Sequence, residues 1–482
     1  ARPRRTAPAL LVAALRTAVA VTLALVLASG GDPQRSSSQA RGSTQPARDS
    51  ARSATTAAAP QPPPAQNAST QGPSPTALNE RGYALIKQGR YAEAIAPLQA
   101  AVDGYKAAGS KGLPYAYALF NLAVALNRSG RPADAVPLLR ERLGYDDQRA
   151  TVQAELDDAL YRATFLREFD SLTPENELKM SVLQPRRGHF DFAAADELVR
   201  FARRHGKAVR GHTLVWGQAL PLWLVDHGAT DRLGLRLPPI GLPALPSVLR
   251  RPVDDALTRL TGWRRDELLA VMRDHIRTVM RHFAGDVAEW DVVNEPIAAD
   301  GTLAPSVWRR FIGPDYVEQA LRAAHAADPA AKLFINDFAV EAPSAKLEGL
   351  VALVRDLQAR HVPLDGIGLQ AHWNIAEPVD QATLTSTMRR FARMGLEVQI
   401  TEMDVGSSML GLLSADRMAR QAAAYGAAAR ACNAVAACAR FTTWGFTDLV
   451  SWLAPGESGL LFDRSYRPKP AFAAVRSAFA PR

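Results

Sequence analysis

EWDVVNEP, residues 289–296, is an apolar, strand-like run that ends in an amide and a carboxylate. Its apolar residues are typical of a buried strand, but Asn294 and Glu295 add nothing to a hydrophobic core. Burying a charge without a partner is costly. The stretch is therefore predicted to deliver Glu295 to a site where its carboxylate is used.

Similar strands alternate with helical stretches from about residue 150 onward. Amphipathic segments such as Arg265–Phe283 and Ser414–Ala431 lie between the runs AVRGHTLVW, EWDVVNEP, KLFINDFA, GIGLQAHW, EVQITEMDV and FTTWGFTD. Parallel strands need helical crossovers, and this many units in about 330 residues fit a (β/α)8 barrel. Residues 150–482 are therefore predicted to form an α/β barrel of this class.

The predicted strands share a second property. Each ends in polar or aromatic side chains of the kinds that bind ligands or take part in catalysis. These ends are Glu175-Asn176, His212, Asn294-Glu295, Asn336-Asp337, Gln370 with His372, Glu402 with Asp404, and Trp444 with Asp448. Barrels of this class carry their active sites at the carboxyl ends of the strands. The succession of polar ends therefore predicts a ring of functional side chains around one cleft.

Two carboxylates in this ring suit one reaction. Glycoside hydrolysis uses a pair of carboxyl groups, one to protonate the leaving oxygen and one to attack the sugar or activate water. Glu295 and Glu402 end different strands and are predicted to form that pair. Trp216, Trp444 and Trp452 offer flat apolar faces for sugar rings, although a lone tryptophan is more often a core residue.

A metal centre is the main alternative use of the polar strand ends. His212 and His372 lie on separate strands, and the sequence has no HxH or HExxH spacing. It also has no P-loop and no GxGxxG element. The sequence therefore predicts catalysis by side chains alone, with no metal and no cofactor.

Length and charge restrict the other classes of function. A chain of 482 residues suggests two or more domains. The net charge of +9 arises mainly from residues 1–75, where eight arginines and two acidic residues give +6. The remaining +3 is not gathered into a basic patch with aromatic residues. Nucleic-acid binding is therefore not expected.

The first 75 residues have the composition of an export segment followed by a tether. Residues 1–31 combine the basic RPRR with the apolar run TAVAVTLALVLASGG, which is typical of a signal peptide or, if uncleaved, of a membrane anchor. Residues 32–75 are rich in Ser, Thr, Ala, Pro and Gln and are predicted to be a disordered linker. The protein is thus expected to be secreted, periplasmic or located at the cell surface.

Residues 76–145 contain an internal repeat. RGYALIKQGRYAEAIAPLQ and LAVALNRSGRPADAVPLLR align at an offset of 41, which pairs Gly89 with Gly130 and Leu98 with Leu139. This pattern resembles tetratricopeptide repeats and predicts a small all-α unit before the barrel. Two interpretations remain open: a helical cap packed on the barrel, or a groove for a protein partner.

The barrel sequence, from about residue 155 to 482, resembles glycoside hydrolase family 10, the retaining endo-β-1,4-xylanases. The matching stretches, in family order, are FDSLTPENELKM, VRGHTLVW, WDVVNEP, LFINDF, GIGLQAHW, ITEMDV, WGFTDLVSW and LLFDRSYRPKPAF. The resemblance implies that Glu295 is the acid/base, that Glu402 is the nucleophile and that xylan or xylo-oligosaccharides are the substrates. It implies substrate-binding positions at Glu175, Asn176, Lys179, His212, Trp216, Asn294, Gln370, His372, Trp444 and Trp452.

Cys432 and Cys438 fall where some members of this family have a disulfide. The resemblance therefore implies that they are paired, and an exported chain favours the same pairing. Two buried free thiols are the alternative.

The sequence departs from the family pattern near the predicted site. HTLVWGQALP has Gly217 and Ala219 where the family usually has His and Gln, which removes polar contacts to sugar. Pro296 and Phe338 stand in place of the usual Ala and Tyr. These departures are the reason to consider an altered specificity.

Two further departures concern the barrel itself. The first strand is hard to find, because LGYDDQRATVQAEL, residues 143–156, is a poor candidate. Either this strand has diverged or the repeat unit has replaced it. An apolar, proline-containing insertion spans residues 225–262. It is expected to pack on the barrel flank, to form a wall over the sugar-binding cleft, or to contact a membrane surface.

Three functions therefore remain in comparison. The first is a xylanase that cleaves internal β-1,4-xylosidic bonds by double displacement. The second is a related β-1,4-glycanase that acts on β-glucan or on modified xylan. The third is a non-catalytic glycan-binding scaffold, which the presence of both Glu295 and Glu402 disfavours because a binding protein needs neither.

Overall fold

The computed structural model of this protein describes residues 72–225, 262–406, 414–454 and 456–480. Helices and strands are numbered in chain order within these ranges. The predicted export segment, nearly all of the predicted linker, and the predicted insertion apart from its two end residues lie outside the described residues.

The described chain begins with two helical hairpins. Helices α1 (Pro75–Lys87) and α2 (Tyr91–Ala107) form the first hairpin, and α3 (Leu113–Arg128) and α4 (Pro132–Arg142) form the second. Gly89 and Gly130 follow the first helix of each pair with φ angles of 72° and 89°, a backbone conformation that favours glycine. A Cβ atom at Gly82 would lie 2.3 Å from Leu98 Cγ, so the paired helices approach closely there. The predicted all-α unit is therefore confirmed.

Helix α5 (Arg149–Glu168) is shared between the repeats and the barrel. Val152 and Leu156 pack in the core of the helical hairpins. Further along the same helix, Phe165 packs in the core of the barrel. The repeats therefore pack against the barrel, as the first of the two open interpretations predicted.

The barrel is built on parallel strands. They are β1 (Ser171–Leu172), β2 (Ala208–Trp216), β3 (Glu289–Asn294), β4 (Lys332–Asp337), β5 (Gly366–Leu369), β6 (His372–Asn374), β7 (Glu397–Gly406) and β8 (Cys438–Thr443). Every pairing among them is parallel, and β5 and β6 pair with successive parts of β7. These two short strands therefore occupy one position in the barrel. The arrangement confirms the predicted (β/α)8 class.

Helices cover the outer face of the sheet. They are α6 (Met180–Leu183), α7 (Ala193–Arg204), α8 (Leu222–Val225), α9 (Arg265–His282), α10 (Val307–Phe311), α11 (Tyr316–Ala327), α12 (Ala345–Ala359), α13 (Gln381–Ala392), α14 (Ser414–Asn433) and α15 (Pro470–Phe479). Their apolar faces pack with the strands into one core, in which Trp290 and Met280 are fully buried. Because the strands are parallel, their carboxyl ends all face the same side of this core.

The barrel is open between β8 and β1. Among the described residues no strand pairs with the outer edge of either, and residues 149–156 of the poor strand candidate are helical. That segment is rich in Ala, Glu, Leu and Arg, which favour helix over strand. A crevice of about 1190 Å³ lies on this side, lined in part by Phe169, Phe201 and Phe441. Helix α5 therefore begins in the stretch of sequence where the first strand was sought.

Candidate active site

The carboxyl ends of the strands bring the predicted site residues to one side of the barrel. Glu175, Asn176 and Lys179 follow β1; His212 and Trp216 lie on β2; Asn294 ends β3 and Glu295 follows it; Gln370 and His372 lie at the junction of β5 and β6; Glu402 lies on β7; Trp444 follows β8, and Trp452 lies in the next loop. Strand register places Trp216 beside Asn294, and Asn294 beside Asn336. All twelve predicted catalytic and substrate-binding residues therefore lie at the same end of the barrel.

Glu295 sits where the backbone leaves β3. Its φ angle is 53°, in the left-handed region that non-glycine residues rarely adopt, and its N–H donates to the Asn336 carbonyl at 2.8 Å. This break changes the direction of the chain directly after the strand. The side chain accepts from Asn294 Nδ2 at Oε1 (3.5 Å) and from Gln218 Nε2 at Oε2 (3.2 Å).

Glu402 is a buried carboxylate surrounded by donors. Asn336 Nδ2 donates to its Oε1 at 2.6 Å, and His372 Nε2 lies 3.2 Å from its Oε2. Burial would raise the pKa of Glu402, but the proximity of His212 and His372 outweighs burial and lowers that pKa below its ordinary value. Glu402 is therefore held ionised, as a carboxylate nucleophile must be.

His372 is held between two carboxylates. Its Nδ1 lies 2.8 Å from Asp404 Oδ2, while its Nε2 faces Glu402. Burial would lower the pKa of His372, but the hydrogen bonds to Asp404 and Glu402 raise it to about 10. Trp452 Nε1 donates to the same Asp404 oxygen at 2.7 Å. His372 is therefore an imidazolium at neutral pH, fixed in place by Asp404.

Asn336 connects the two catalytic strands. Besides its bond to Glu402, its Nδ2 donates to Asn294 Oδ1 at 2.8 Å, and Gln370 Nε2 donates to the same oxygen at 3.3 Å. Because the amide oxygen of Asn294 accepts from both neighbours, its NH₂ group is the end directed toward Glu295. The orientation of Asn294 is thus set by its neighbours, and it presents a donor on the side of Glu295.

The opposite wall of the cleft combines a cation with aromatic rings. Lys179 Nζ donates to Asn176 Oδ1 at 3.1 Å and lies 5.3 Å from the centre of the Trp216 ring. Trp444 is nearly buried, and its ring centre lies 5.2 Å from that of His212. Trp452 is 51% exposed at the rim. Polar groups and flat apolar faces are therefore both available to a sugar chain.

Glu295 also borders a cavity. This cavity of about 440 Å³ is lined in part by Gln218, Ser306, Phe338 and Lys346. Lys346 forms a buried ion pair with Asp337, with Nζ 2.7 Å from Oδ1. Burial raises the pKa of Asp337 to about 7, although Lys346 opposes the shift. Glu295 therefore borders a cavity that offers room for part of a sugar chain.

The sequence did not predict the roles of several residues at the site. Asn336 and Asp404 were recognised as polar strand ends but received no role, and Gln218 and Lys346 were not singled out. Gln218 lies between two positions that were noted as departures from the family. The contacts of Asn336 and Asp404 depend on strand register, which a single sequence does not show.

Behind the site, a polar chain anchors His212. Arg210 pairs with Asp291 inside the barrel and also donates from Nη1 to Gln399 Oε1 at 2.8 Å. Asp291 Oδ2 lies 3.0 Å from His212 Nδ1. Although burial opposes it, Arg210 and His212 together lower the pKa of Asp291. The buried charges are therefore paired, and His212 is fixed beneath Glu402.

The structure also bears on three further features: a disulfide, a metal site and a membrane-spanning helix. Cys432 and Cys438 form a disulfide, as the resemblance implied. Within the ranges that the structure describes, no group of three or more His, Cys, Asp or Glu side chains is arranged to hold a metal ion. In the same ranges no helix is long and apolar enough to cross a membrane.

A barrel with an ionised, donor-bound carboxylate and a second carboxyl group at the same end of its sheet has the machinery of a glycosidase. The family model for glycosyl hydrolase family 10 matches residues 146–478, and a tetratricopeptide repeat model matches residues 74–146. The chain belongs to glycosyl hydrolase family 10.

Characterised relatives and solved structures agree with this assignment. Endo-1,4-beta-xylanase B of Thermotoga neapolitana is 35% identical over 325 residues, covering 66% of this chain and 83% of the relative. An endo-1,4-beta-xylanase of Agaricus bisporus is 34% identical over 68% of this chain and 88% of its own length. The crystal structure of xylanase 10B from Thermotoga maritima is similar with a TM-score of 0.57, 35% identity, and coverage of 67% of this chain and 90% of that one.

Proposed function

We propose that this protein is a retaining endo-1,4-β-xylanase. The observation that carries the proposal is the environment of Glu402, a buried carboxylate kept ionised by His212 and His372 and connected through Asn336 to Asn294, the residue before Glu295. The names of the similar enzymes supply the substrate, a β-1,4-linked xylose chain. The same names, which are of endo-xylanases, support cleavage within the chain rather than at its end.

The first chemical step forms a glycosyl-enzyme. A Glu402 oxygen attacks the anomeric carbon, the bond from that carbon to the glycosidic oxygen breaks, and Glu295 transfers its proton to the departing oxygen. Asn336 and His372 hold Glu402 in place through its two oxygens. Asn294 presents its NH₂ group on the side of Glu295, where a hydroxyl of the sugar can accept from it.

The second step releases the sugar. Glu295, now a carboxylate, removes a proton from water, the water oxygen bonds to the anomeric carbon, and the bond to Glu402 breaks. His372 stabilises Glu402 as its negative charge returns. Two inversions at the same carbon restore the original β configuration.

The stereochemical outcome tests this mechanism. Proton NMR of a xylotetraose digest should show the β-anomer of the product first, with the α-anomer appearing only as the sugar equilibrates. An initial α-anomer would mean inversion and would contradict the assignment of Glu402 as nucleophile. Failure of the wild-type protein to cleave any xylan would contradict the proposed substrate.

A related specificity is the second candidate, and the cavity beside Glu295 favours considering it. Gly217 lines this cavity at a position where the family usually has a polar residue, and Phe338 lines the same cavity. The two candidate specificities can be distinguished by the rates of reducing-sugar release from xylan, arabinoxylan and mixed-linkage β-glucan. A higher rate on β-glucan than on either xylan would replace the first proposal with the second.

We further infer export and a protein partner from the parts of the chain outside the barrel. The composition of residues 1–31 supports export, and N-terminal sequencing of the protein from culture medium and cell fractions tests it. The paired helices of the repeats, with Tyr83, Leu113 and Tyr117 exposed, support a protein-binding surface. Alanine substitution at these three positions should abolish capture of a partner without changing xylan hydrolysis.

A further inference from the structure

The turn that carries Glu295 is held by two successive residues of β4. The Glu295 N–H donates to the Asn336 carbonyl at 2.8 Å. Pro296 has no N–H to donate, so the next backbone donor belongs to Ile297, and it reaches Oδ2 of Asp337 at 3.2 Å. The end of β4 therefore holds the chain on each side of the Glu295–Pro296 peptide.

The backbone conformation of this turn requires such support. Glu295 has a φ angle of 53°, which a residue with a side chain keeps only where the surrounding structure fixes it. The direction of the Cα–Cβ bond, and with it the place of the carboxyl group, depends on the backbone at this residue. Loss of a hydrogen bond from β4 would let the turn relax toward an ordinary conformation and displace the carboxyl group.

Asp337 is fully buried, and its two oxygens face three donors. Lys346 Nζ lies 2.7 Å from Oδ1, which also accepts from the Phe338 N–H at 2.9 Å, while Oδ2 accepts from Ile297. A carboxylate suits donors on both sides, whereas an asparagine would turn its NH₂ group toward one of them. The charged Lys346 would keep the one remaining oxygen. An amide at position 337 would therefore lose the contact with Ile297.

We propose that Asp337 is a positioning residue for the acid/base Glu295: its carboxylate holds the backbone of Ile297 and so maintains the turn that directs Glu295 into the cleft. The inference rests on the proposed function and adds to it the group that sets the direction of the acid. A displaced Glu295 would transfer its proton poorly in the first step and would remove a proton from water poorly in the second. Glu402 would keep its own contacts.

Two variants remove the contact in different ways. Asp337→Asn leaves the Ile297 N–H facing an amide NH₂ group. Asp337→Leu combined with Lys346→Met replaces the whole ion pair with apolar side chains of similar size, a change that is often tolerated. Asp365→Asn is the matched control, because Asp365 Oδ2 accepts from the Leu333 N–H at 2.8 Å at the amino end of β4, opposite the cleft.

Two substrates separate proton transfer from general damage. Xylotetraose needs a proton on its leaving oxygen, whereas 2,4-dinitrophenyl β-xylobioside has a leaving group that needs none. In both variants kcat/KM on xylotetraose should fall at least about tenfold. Formation of the glycosyl-enzyme from the dinitrophenyl substrate, measured as a burst of dinitrophenol, should change less than about threefold. Asp365→Asn should match the wild type on both substrates.

Added azide provides a second readout. Because a displaced Glu295 is a poor base, the burst of dinitrophenol should be followed by slow turnover. Azide attacks the anomeric carbon of the glycosyl-enzyme, the bond to Glu402 breaks, and a β-glycosyl azide forms without proton transfer. Azide should therefore raise the steady rate of both Asp337 variants at least about threefold and leave that of the wild type unchanged.

Equal losses on the two substrates would indicate general damage to the cleft and overturn the role of Asp337. So would an unchanged rate on xylotetraose, or failure of both variants to fold, since the residue would then serve stability alone. Any of these results beside a wild type that hydrolyses xylan with retention rejects this inference and leaves the proposed function standing. Wild-type protein without glycosidase activity rejects the proposed function itself.

Discussion

His372 Nε2 lies 3.2 Å from Oε2 of Glu402, so an imidazolium lies directly beside the proposed nucleophile. The two groups stabilise each other's charged forms: the pKa of Glu402 is lowered despite its burial, and that of His372 is raised to about 10. Catalysis needs Glu402 ionised. Activity should therefore persist at pH values where an ordinary glutamate begins to gain a proton.

His372→Gln should move the acidic limb of the kcat/KM profile to higher pH by about one unit. The imidazolium favours the ionised form of Glu402, so its loss makes protonation easier and inactivation starts at a higher pH. His282→Gln is the control, because His282 pairs with Asp196 on the surface, at 2.7 Å. An acidic limb that does not move would show that His372 does not set the charge of Glu402.

Thermal stability should also depend on pH through His372. Its folded pKa of about 10 exceeds the ordinary value of 6.5, so its contribution to stability is fully present below pH 6.5 and is lost as pH rises toward 10. The difference in Tm between wild type and His372→Gln should therefore shrink over that interval. Calorimetric scans between pH 6 and about 10 test this, and a difference that widens with pH would contradict it.

Glu402→Gln should reduce turnover of xylan at least about a thousandfold, because the amide cannot form the glycosyl-enzyme. Mass spectrometry with a 2-fluoro-xylobiosyl inhibitor should label the wild type at Glu402. Labelling at any other residue would name a different nucleophile.

Lys346→Met should destabilise the fold by about 3–5 kcal/mol, because it leaves the carboxylate of Asp337 buried without its cation. Lys332→Met is the matched control. Lys332 pairs with Glu397 at 2.5 Å but is 54% exposed, so its loss should cost less than about 1 kcal/mol. Urea unfolding of both variants provides the comparison, and equal losses would show that burial of the Asp337 pair contributes nothing.

Deletion of residues 1–143 should lower the Tm of the hydrolase or prevent its folding. The deletion removes the helices against which Val152 and Leu156 pack, and exposes that face of α5 to water. Deletion of residues 1–71 is the control and should leave activity on soluble xylan unchanged. An unaltered Tm after the longer deletion would show that the barrel does not depend on the repeats.

The sequence predicted most of the site because the chemistry is concentrated at strand ends. Glu295 follows an apolar strand and Glu402 lies on another. A charged residue adds nothing to the packing of such a strand, and this is why both could be identified from the sequence. Contacts between strands were harder to foresee. Asn336 donates to Glu402 and Asn294 only because β4 lies between their strands in space, and Gln218 reaches Glu295 only through the conformation of a turn.

The start of the barrel was the least predictable part of the fold. A family resemblance required a strand before FDSLTPEN, but residues 149–156 have strong helix propensity and form part of α5. In the folded protein, this helix packs in the core of the helical hairpins and in the core of the barrel. The repeat sequence and the barrel sequence each indicated their own unit, and neither indicated that one helix would serve both.

Helix α5 removes the flexible hinge that usually separates an enzyme from an attached module. A protease that cuts exposed linkers finds none between residues 149 and 168, so nicking there would have to open two cores at once. Anything the repeats hold is therefore linked to the hydrolase through a helix that contributes to both cores.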